Sequence, residues 1–425
     1  MTVQEFIPIL ADYRDEIEVT PIESFVDRRE EHLIDWDSNL AQVVIGVRRC
    51  GKSTMCMKSL MSRGVKFAYI NFDDERLEGL QTSDLSRVIE ALYIVYGEFQ
   101  YLFLDEIQNV DGWPLFVNRL LRQRLHIVLT GSNAKLLSNE LMTHLTGRHN
   151  EIDLFPFSFA EYVSYLKLDT QSLSTRSTAL LQNALAEYLR HGGMPELLHE
   201  KNRQRYITKL MDSIVSRDIA RRFKVRNVPA LRKMAKYLAD NFAQEFVAQN
   251  VSEVVGISDH TAEKYYTYLK EAFLLQGVPK FSFKSSERNR NEKVYVVDTA
   301  FASEREGTFS MENLGWRLEN VIFVELMRRS REVYDNIFYY RDRSFEVDFI
   351  RSSDHEVKEL IQVCYDLNSP KTRRREIDGL IKGAVRFRCS KLTIITFDKY
   401  EIVELDGLTI QIVPAINWLL GNGAN

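Results

Sequence analysis

Long apolar runs are missing from this sequence: none of its 425 residues falls in a stretch approaching the roughly 18 consecutive apolar positions of a membrane helix. A membrane-spanning role is therefore not expected. Cysteine is scarce. Cys50, Cys56, Cys364 and Cys389 show neither C-x-x-C spacing nor histidine partners, which argues against a zinc site and against a disulfide framework. Residues 1–20 are acidic and carry none of the basic flank, apolar core and small-residue cleavage site of a signal peptide, so a cytoplasmic protein with reduced thiols is expected. Excess charge of one sign is lacking too. A formal net charge of −4 gives the whole molecule little electrostatic drive toward nucleic acid. What remains is an ordinary composition, 45% hydrophobic and 27% charged, at a length that suits two to four domains of about 100–200 residues each.

One stretch organises the rest. Gly46-Val47-Arg48-Arg49-Cys50-Gly51-Lys52-Ser53-Thr54 reads G-x-x-x-x-G-K-[ST], after the apolar run Val43-Val44-Ile45 and before a helical pattern over residues 55–60. In a strand–loop–helix context, backbone N–H groups of such a loop curl around the α- and β-phosphates of a nucleotide, and the helix N-terminus adds positive potential. Lys52 is expected to reach the β- and γ-phosphates, Ser53 to ligate Mg²⁺ through its hydroxyl, and Thr54 to begin the helix body. A second apolar strand, Tyr101-Leu102-Phe103-Leu104, ends in Asp105-Glu106, a Walker B signature. Asp105 is read as holding Mg²⁺ through its water shell and Glu106 as polarising the attacking water. A third strand, residues 126–130, runs into Gly131-Ser132-Asn133. Ser132 or Asn133 is read as ordering the water or sensing the γ-phosphate, the plainer alternative being turn or cap residues.

Charge changes sign along the chain: residues 1–100 carry 11 positive and 18 negative side chains, residues 201–300 carry 19 and 11. Arg28-Arg29-Glu30-Glu31 opens an expected helix with a solvated face. Residues 66–72 alternate like a strand and end in Asp73-Asp74-Glu75-Arg76, either facing the Mg²⁺ region or forming a solvated loop. A helix over residues 83–96 follows. Residues 179–217 read as a helical lid broken at His191-Gly192-Gly193-Met194-Pro195-Glu196, and the basic run over 216–226 reads as a hydrated helix rather than a phosphate contact. Residues 230–298 then give helix, turn, helix and hairpin, a winged helix-turn-helix pattern. It would set His260, Thr261, Lys264, Tyr265 and Tyr268 in a DNA major groove and Lys284, Arg288, Arg290 and Lys293 against phosphates. The alternative is a protein–protein module, with Tyr266, Tyr268, Leu269 and Phe273 as core or interface.

The motifs G-V-R-R-C-G-K-S-T, F-L-D-E-I-Q, L-T-G-S-N, L-T-G-R at 145–148 and L-F-P-F-S-F-A-E-Y at 154–162 together resemble a family of bacterial and archaeal AAA-type P-loop ATPases. The resemblance implies ATP as the nucleotide and Arg148 as an arginine finger, acting in its own subunit or in a neighbour of a homo-oligomer. A similar G-G-x-P-E turn occurs in that family. The resemblance extends to a C-terminal restriction-endonuclease-like domain, here helix 316–330, strands 333–341, 345–350 and 360–364, a basic helix and strand 392–397. Such domains bind a divalent metal through an acid at a strand end and a Glu-x-Lys on the next strand. Asp348 fits the first acid and Glu319 a helix-borne one, but Gln362-Val363-Cys364 stands in the Glu-x-Lys position without the lysine, which implies an inactive scaffold. Lys371, Arg373, Arg374 and Arg375 stay open between nucleic-acid contact and a solvated helix start.

The expected fold is α/β: an AAA-like P-loop NTPase parallel sheet with helices on both faces (1–165), a helical lid (166–228), a winged helix-turn-helix (229–305) and a restriction-endonuclease-like domain (306–425). The expected function is Mg²⁺-dependent ATP binding and hydrolysis, driving a conformational change coupled to DNA or to a protein partner. The alternatives are a slow nucleotide-dependent protein-binding switch and an ATP-regulated nuclease.

Overall fold

The computed structural model describes residues 1–132, 145, 147–172, 174–282, 292–302, 311–333, 335–353 and 356–421. The chain divides into two compact units, Met1–Leu154 with Glu271–Phe273, and Phe155–Lys270 with Leu274–Asn425.

In the first unit the apolar runs become five strands: β1 (Ala41–Ile45), β2 (Phe67–Asn71), β3 (Tyr101–Asp105), β4 (His126–Gly131) and β5 (His149–Asp153). They form one sheet of order β2-β3-β4-β1-β5, and every pair is parallel. All five residues of β1 are buried, as a strand covered on both faces requires. The register aligns Ile45 with Gly131 and Asp153, and Asn71 with Asp105, so the carboxyl ends of the strands share one edge. Flanking helices are α1 (Val3–Val19), α2 (Lys52–Ser62), α3 (Leu85–Tyr96) and α4 (Trp113–Arg122). Helix α1 buries Phe6, Ile9, Leu10 and Tyr13, the i, i+3, i+4, i+7 spacing of one helical face.

The solvated helix expected from Arg28 is instead a short 3₁₀ turn, Arg29–Leu33, with Arg28 and Glu30 buried. The reason is a specific contact: the Arg28 guanidinium donates to the Cys50 carbonyl at 2.9 Å, beneath the glycine loop.

The second unit opens with α5 (Phe159–Tyr165), α6 (Thr175–His191) and α7 (Arg203–Ser213), the last continuing into a π-helical stretch, Ile214–Arg221. Next come α8 (Val228–Asp240), β6 (Gln244–Glu245), α9 (Ala248–Val255), α10 (Asp259–Glu271), β7 (Leu275–Pro279) and β8 (Glu292–Val296), with the strands in an antiparallel sheet of order β6-β8-β7. The long helix α11 (Met311–Val333) leads into β9 (Asn336–Arg341), β10 (Glu346–Ser353) and β11 (Glu356–Val363), followed by α12 (Pro370–Phe387), β12 (Leu392–Thr396), β13 (Glu401–Leu405), β14 (Leu408–Pro414) and α13 (Ala415–Leu419). Their six-stranded sheet has the order β13-β14-β12-β11-β10-β9, parallel from β11 through β12 to β14 and antiparallel elsewhere. Phe281, just beyond β7, packs into the core of this sheet against Phe338 and Phe387, at ring separations of 5.4 and 5.1 Å.

Two motifs whose purpose the sequence leaves open meet in a single knot. In L-F-P-F-S-F-A-E-Y, Ser158 caps α5 and Glu161 returns a bond to the Ser158 amide at 2.7 Å, a capping box. The Phe157 amide donates to the Gly193 carbonyl at 2.9 Å, and the Tyr188 hydroxyl donates to the Phe157 carbonyl at 2.6 Å. The Gly193 amide donates to Asp298 at 2.8 Å, while Arg328 donates to the Pro156 carbonyl at 2.8 Å. A Cβ on Gly193 would lie 2.3 Å from the Phe157 carbonyl oxygen, and one on Gly192, at φ +74°, would lie 1.6 Å from an Asp298 oxygen. The paired glycines are therefore a packing requirement.

Candidate functional site

The glycine loop leaves β1 at Ile45 and enters α2 at Lys52, with Gly46, Arg49 and Gly51 at φ +157°, +67° and +99°. A Cβ on Gly46 would lie 2.1 Å from the Leu154 carbonyl oxygen, so this position admits glycine alone. Lys52 is almost fully buried, and its ammonium donates to the carbonyls of Gly46 and Val47, both at 3.1 Å. It also lies 4.0 Å from Glu106 Oε1.

Asp105 closes β3 and collects three hydroxyls. Ser53 Oγ donates to its Oδ1 at 2.9 Å, Thr130 donates to the same oxygen, and the Tyr69 hydroxyl donates to Oδ2 at 3.2 Å. Burial, with the Glu106 charge beside it, pushes the Asp105 carboxyl up to about 6, although Thr130, Ser53 and Lys52 pull it down. A buried carboxylate and a hydroxyl in contact, with negative charge that the protein leaves only partly compensated, form a hard-oxygen donor set that fits Mg²⁺. Glu106 sits in the left-handed region at φ 51°, and Gln108 donates to its carboxylate. Its amide donates to Thr130 Oγ1 at 3.0 Å, so one buried threonine hydroxyl joins both Walker B acids.

The structure thus gathers Lys52, Ser53, Asp105 and Glu106 at the carboxyl edge of the sheet. The rest of the loop, Val47, Arg48, Cys50 and Thr54, stands around them, and Arg48 pairs with Asp73 at 3.2 Å, bringing the carboxylate cluster after β2 to the same edge. Thr130, Tyr69, Gln108 and Arg28 belong to the site and were missed. The L-T-G-S-N motif contains Thr130, but nothing local marks it ahead of Ser132. Asn133 lies outside the described residues.

Arg148 stands elsewhere. It precedes β5, its carbonyl accepts the Ala41 amide at 2.9 Å, and its guanidinium donates to Asn118 at 2.6 Å. That is the amino edge of the sheet, separated from the loop by the length of a five-residue strand, about 15 Å.

In the second unit, α10 exposes His260, Glu263, Lys264 and Thr267. Tyr265 is buried, a correction to its expected place on an outward face, and Tyr268 stacks on Phe223 at 3.9 Å. Lys284, Arg288 and Arg290 lie outside the described residues. Lys293, expected at a phosphate surface, is instead buried: the hairpin register turns it toward the six-stranded sheet, where it lies 2.7 Å from Glu319, 3.4 Å from Glu346 and 3.7 Å from Asp348. Burial pulls this ammonium toward neutrality, but the three carboxylates outweigh that and keep it charged. The ammonium absent from the Gln362 strand is thus present in space, delivered by β8. Gln362 accepts the Asp348 amide at 2.7 Å and donates to Glu376 at 2.8 Å. Arg373 is paired with Glu401 at 2.5 Å, and Arg375 with Glu376 at 2.5 Å.

A parallel sheet carrying a glycine loop, a buried lysine and paired strand-end acids defines a P-loop protein of the AAA type. An AAA domain profile matches residues 38–163, and a domain of unknown function matches residues 182–312. An uncharacterized protein of Methanocaldococcus jannaschii is 33% identical over 403 residues, spanning 90% of this chain and 88% of that protein. An uncharacterized protein of Haemophilus influenzae is 32% identical over 400 residues, 90% of this chain and 95% of that protein. The chain belongs to the family these proteins represent, an archaeal and bacterial family with an AAA-type P-loop domain. A solved structure of Drosophila ORC bound to AT-rich DNA and Cdc6 overlaps 70% of this chain and 92% of that chain at 10% identity and a TM-score of 0.21, too low to carry an argument. Among the described residues, no helix is long and apolar enough to cross a membrane.

Proposed function

We propose that this protein binds ATP with Mg²⁺ at residues 46–54, hydrolyses it, and uses the cycle to change how its second unit engages nucleic acid. The observation that carries the reading is the convergence of Ser53, Asp105 and Thr130 by direct hydrogen bonds, with Lys52 and Glu106 4.0 Å apart beside them. Lys52 would exchange its two loop carbonyls for β- and γ-phosphate oxygens, and the loop amides would take the remaining phosphate charge. Ser53 and Asp105 would hold Mg²⁺, which when bound would neutralise charge on the phosphates. Glu106 orients the attacking water and accepts its proton, while Thr130 fixes that carboxylate's backbone relative to Asp105. Arg148 is assigned to a neighbouring copy in a homo-oligomer, because its own loop lies at the far edge of the sheet.

The nucleic-acid half is supported by the helix–strand–helix–helix–strand–strand order from α8 to β8, the order of a winged helix, and by the exposed His260 and Lys264 on its third helix. The test is Mg²⁺-dependent ATP hydrolysis by the wild type and Glu106→Gln, with and without duplex or single-stranded DNA, across protein concentration. Turnover that rises with DNA and more than linearly with protein, and is lost in the variant, is the expected result. Turnover indifferent to DNA, but stimulated by a protein, would replace the nucleic-acid half with a protein-binding switch.

A further inference from the structure

The basic run over residues 216–226, expected as a hydrated helix, is instead a π-helical end followed by a turn: the π-helical stretch closes at Arg221, and Lys224 then sits in the left-handed region at φ 49°. A π-helix is rare and recurs at functional sites. Arg217, Arg221, Lys224 and Arg226 are exposed along the run, while Asp218, its only acid, is buried. Building on the nucleic-acid half of the function proposed above, we propose that this turn grips the phosphate backbone of double-stranded DNA, with Lys224 and Arg226 beside the groove that α10 enters.

Position is the first support. Phe223 stacks face to face on Tyr268 of α10, with ring centres 3.9 Å apart and planes 9° apart, and the Tyr265 hydroxyl donates to the Asn227 carbonyl at 3.4 Å. The turn is thus pinned to α10 on both sides of Lys224 and Arg226. Lys264 joins them from α10 itself, exposed, with its ammonium 5.8 Å from the Tyr268 ring centre.

Charge is the second. Arg232 on α8 and Lys270 on α10 are neutralised by Asp212 at 2.6 Å and Glu292 at 2.7 Å, whereas among the described residues no carboxylate does this for Lys224 or Arg226. Cations left to water are those that displace counterions from a phosphate backbone. Glu263, exposed on α10, repels phosphate but can accept from a cytosine amine, so backbone contacts fall to the turn and base contacts to the helix.

Shape selects the form of nucleic acid. The major groove of B-DNA, about 12 Å wide, admits a helix with phosphates at its borders, and that of duplex RNA is too narrow. Single strands are held on aromatic faces open to bases, but Phe223 and Tyr268 stack on each other instead. A protein partner is disfavoured because lysine is depleted from interface cores.

The test is fluorescence anisotropy of two labelled DNA duplexes of unrelated sequence titrated with the full chain, across a salt series at fixed Mg²⁺ with a non-hydrolysable ATP analogue. Lys224→Asn is combined with Arg226→Gln, asparagine being a residue that tolerates a left-handed backbone. This pair should weaken binding of both duplexes about 10–100-fold at about 0.1 M salt and flatten the logarithmic salt slope by about 2. Lys224→Arg with Arg226→Lys should hold the wild-type slope, and so should Lys358→Ala, which removes an exposed cation from the six-stranded sheet. Thermal unfolding identifies a pair that fails to fold, and Lys224→Asn alone then takes its place with a slope change of about 1. An unchanged slope without Lys224 and Arg226, an equal fall in Lys358→Ala, or tighter binding to single strands or duplex RNA would overturn the assignment and leave the broader nucleic-acid reading standing. Absence of binding to any nucleic acid by the wild type would overturn both, which separates the two failures.

Discussion

Thr130 shows what a single hydroxyl can hold. It donates to Asp105 and accepts from the Glu106 amide, so its loss unties Asp105 from Glu106. Thr130→Val preserves shape and removes both bonds. Turnover of ATP should fall about 10–100-fold, measured as steady-state phosphate release, while binding of a fluorescent ATP analogue changes little because Lys52 and the loop amides remain. Activity within a factor of two of wild type would remove Thr130 from the mechanism. The convergence of Lys52, Ser53, Asp105 and Glu106 was legible because it is written in local spacing: a loop of fixed length, and a strand ending in acids. Thr130, Tyr69 and Arg28 were not, because each reaches the site from another strand or turn and only the register of a folded sheet makes them neighbours. Lys293 is the sharpest case. It was read as a phosphate contact of the wing, yet its ammonium lies 3.7 Å from Asp348, delivered by a hairpin upstream of α11.

At the scale of elements, the knot of α5, the Gly192-Gly193 turn and Asp298 carries two predictions. Gly193→Ala forces a Cβ onto the Phe157 carbonyl and should cost about 3 kcal/mol in chemical denaturation, with no effect expected from an alanine placed at an exposed position of α6. Asp298 is buried with its two oxygens on the Gly193 and Ala300 amides, and burial, opposed by those amides and by Arg317 and Arg328, pushes its carboxyl up to about 6 from an ordinary value of 3.8. The folded state therefore binds this proton more tightly than the unfolded chain. Its contribution is fully present below the unfolded value and is lost as pH rises through about 6, a span of about 3 kcal/mol. Lowering pH from 7 to 5 should stabilise the wild type relative to Asp298→Asn by about 1 kcal/mol in urea unfolding, and a parallel pH profile for the two proteins would contradict it. Four of the five strands of the first unit were read from apolar runs, while β5, His149–Asp153, was not, because its sequence is mostly polar. The hairpin β13–β14 was not read, although Asp406-Gly407 between alternating residues is a strong turn signal.

For the whole molecule, Arg148 sits on the wrong edge of the sheet to serve its own loop, which makes assembly a requirement of the proposed chemistry. Lys52→Ala and Arg148→Ala should each be inactive alone. Mixed together they should regain a measurable fraction of wild-type ATP turnover, because a subunit with an intact loop then meets a neighbour with an intact arginine. No recovery on mixing, with both variants assembled normally, would leave Arg148 as the Asn118 partner it is seen to be.

The placement of Lys293 also bears on descent. Because its ammonium belongs to one stretch of sequence and its carboxylates to another, the two stretches form one heritable trait: a recombination joining the hairpin of one lineage to the sheet of another would leave Glu319 and Asp348 without the ammonium they share, or that ammonium without its acids. Lineages of this protein should therefore exchange residues 292–421 as a block or not at all.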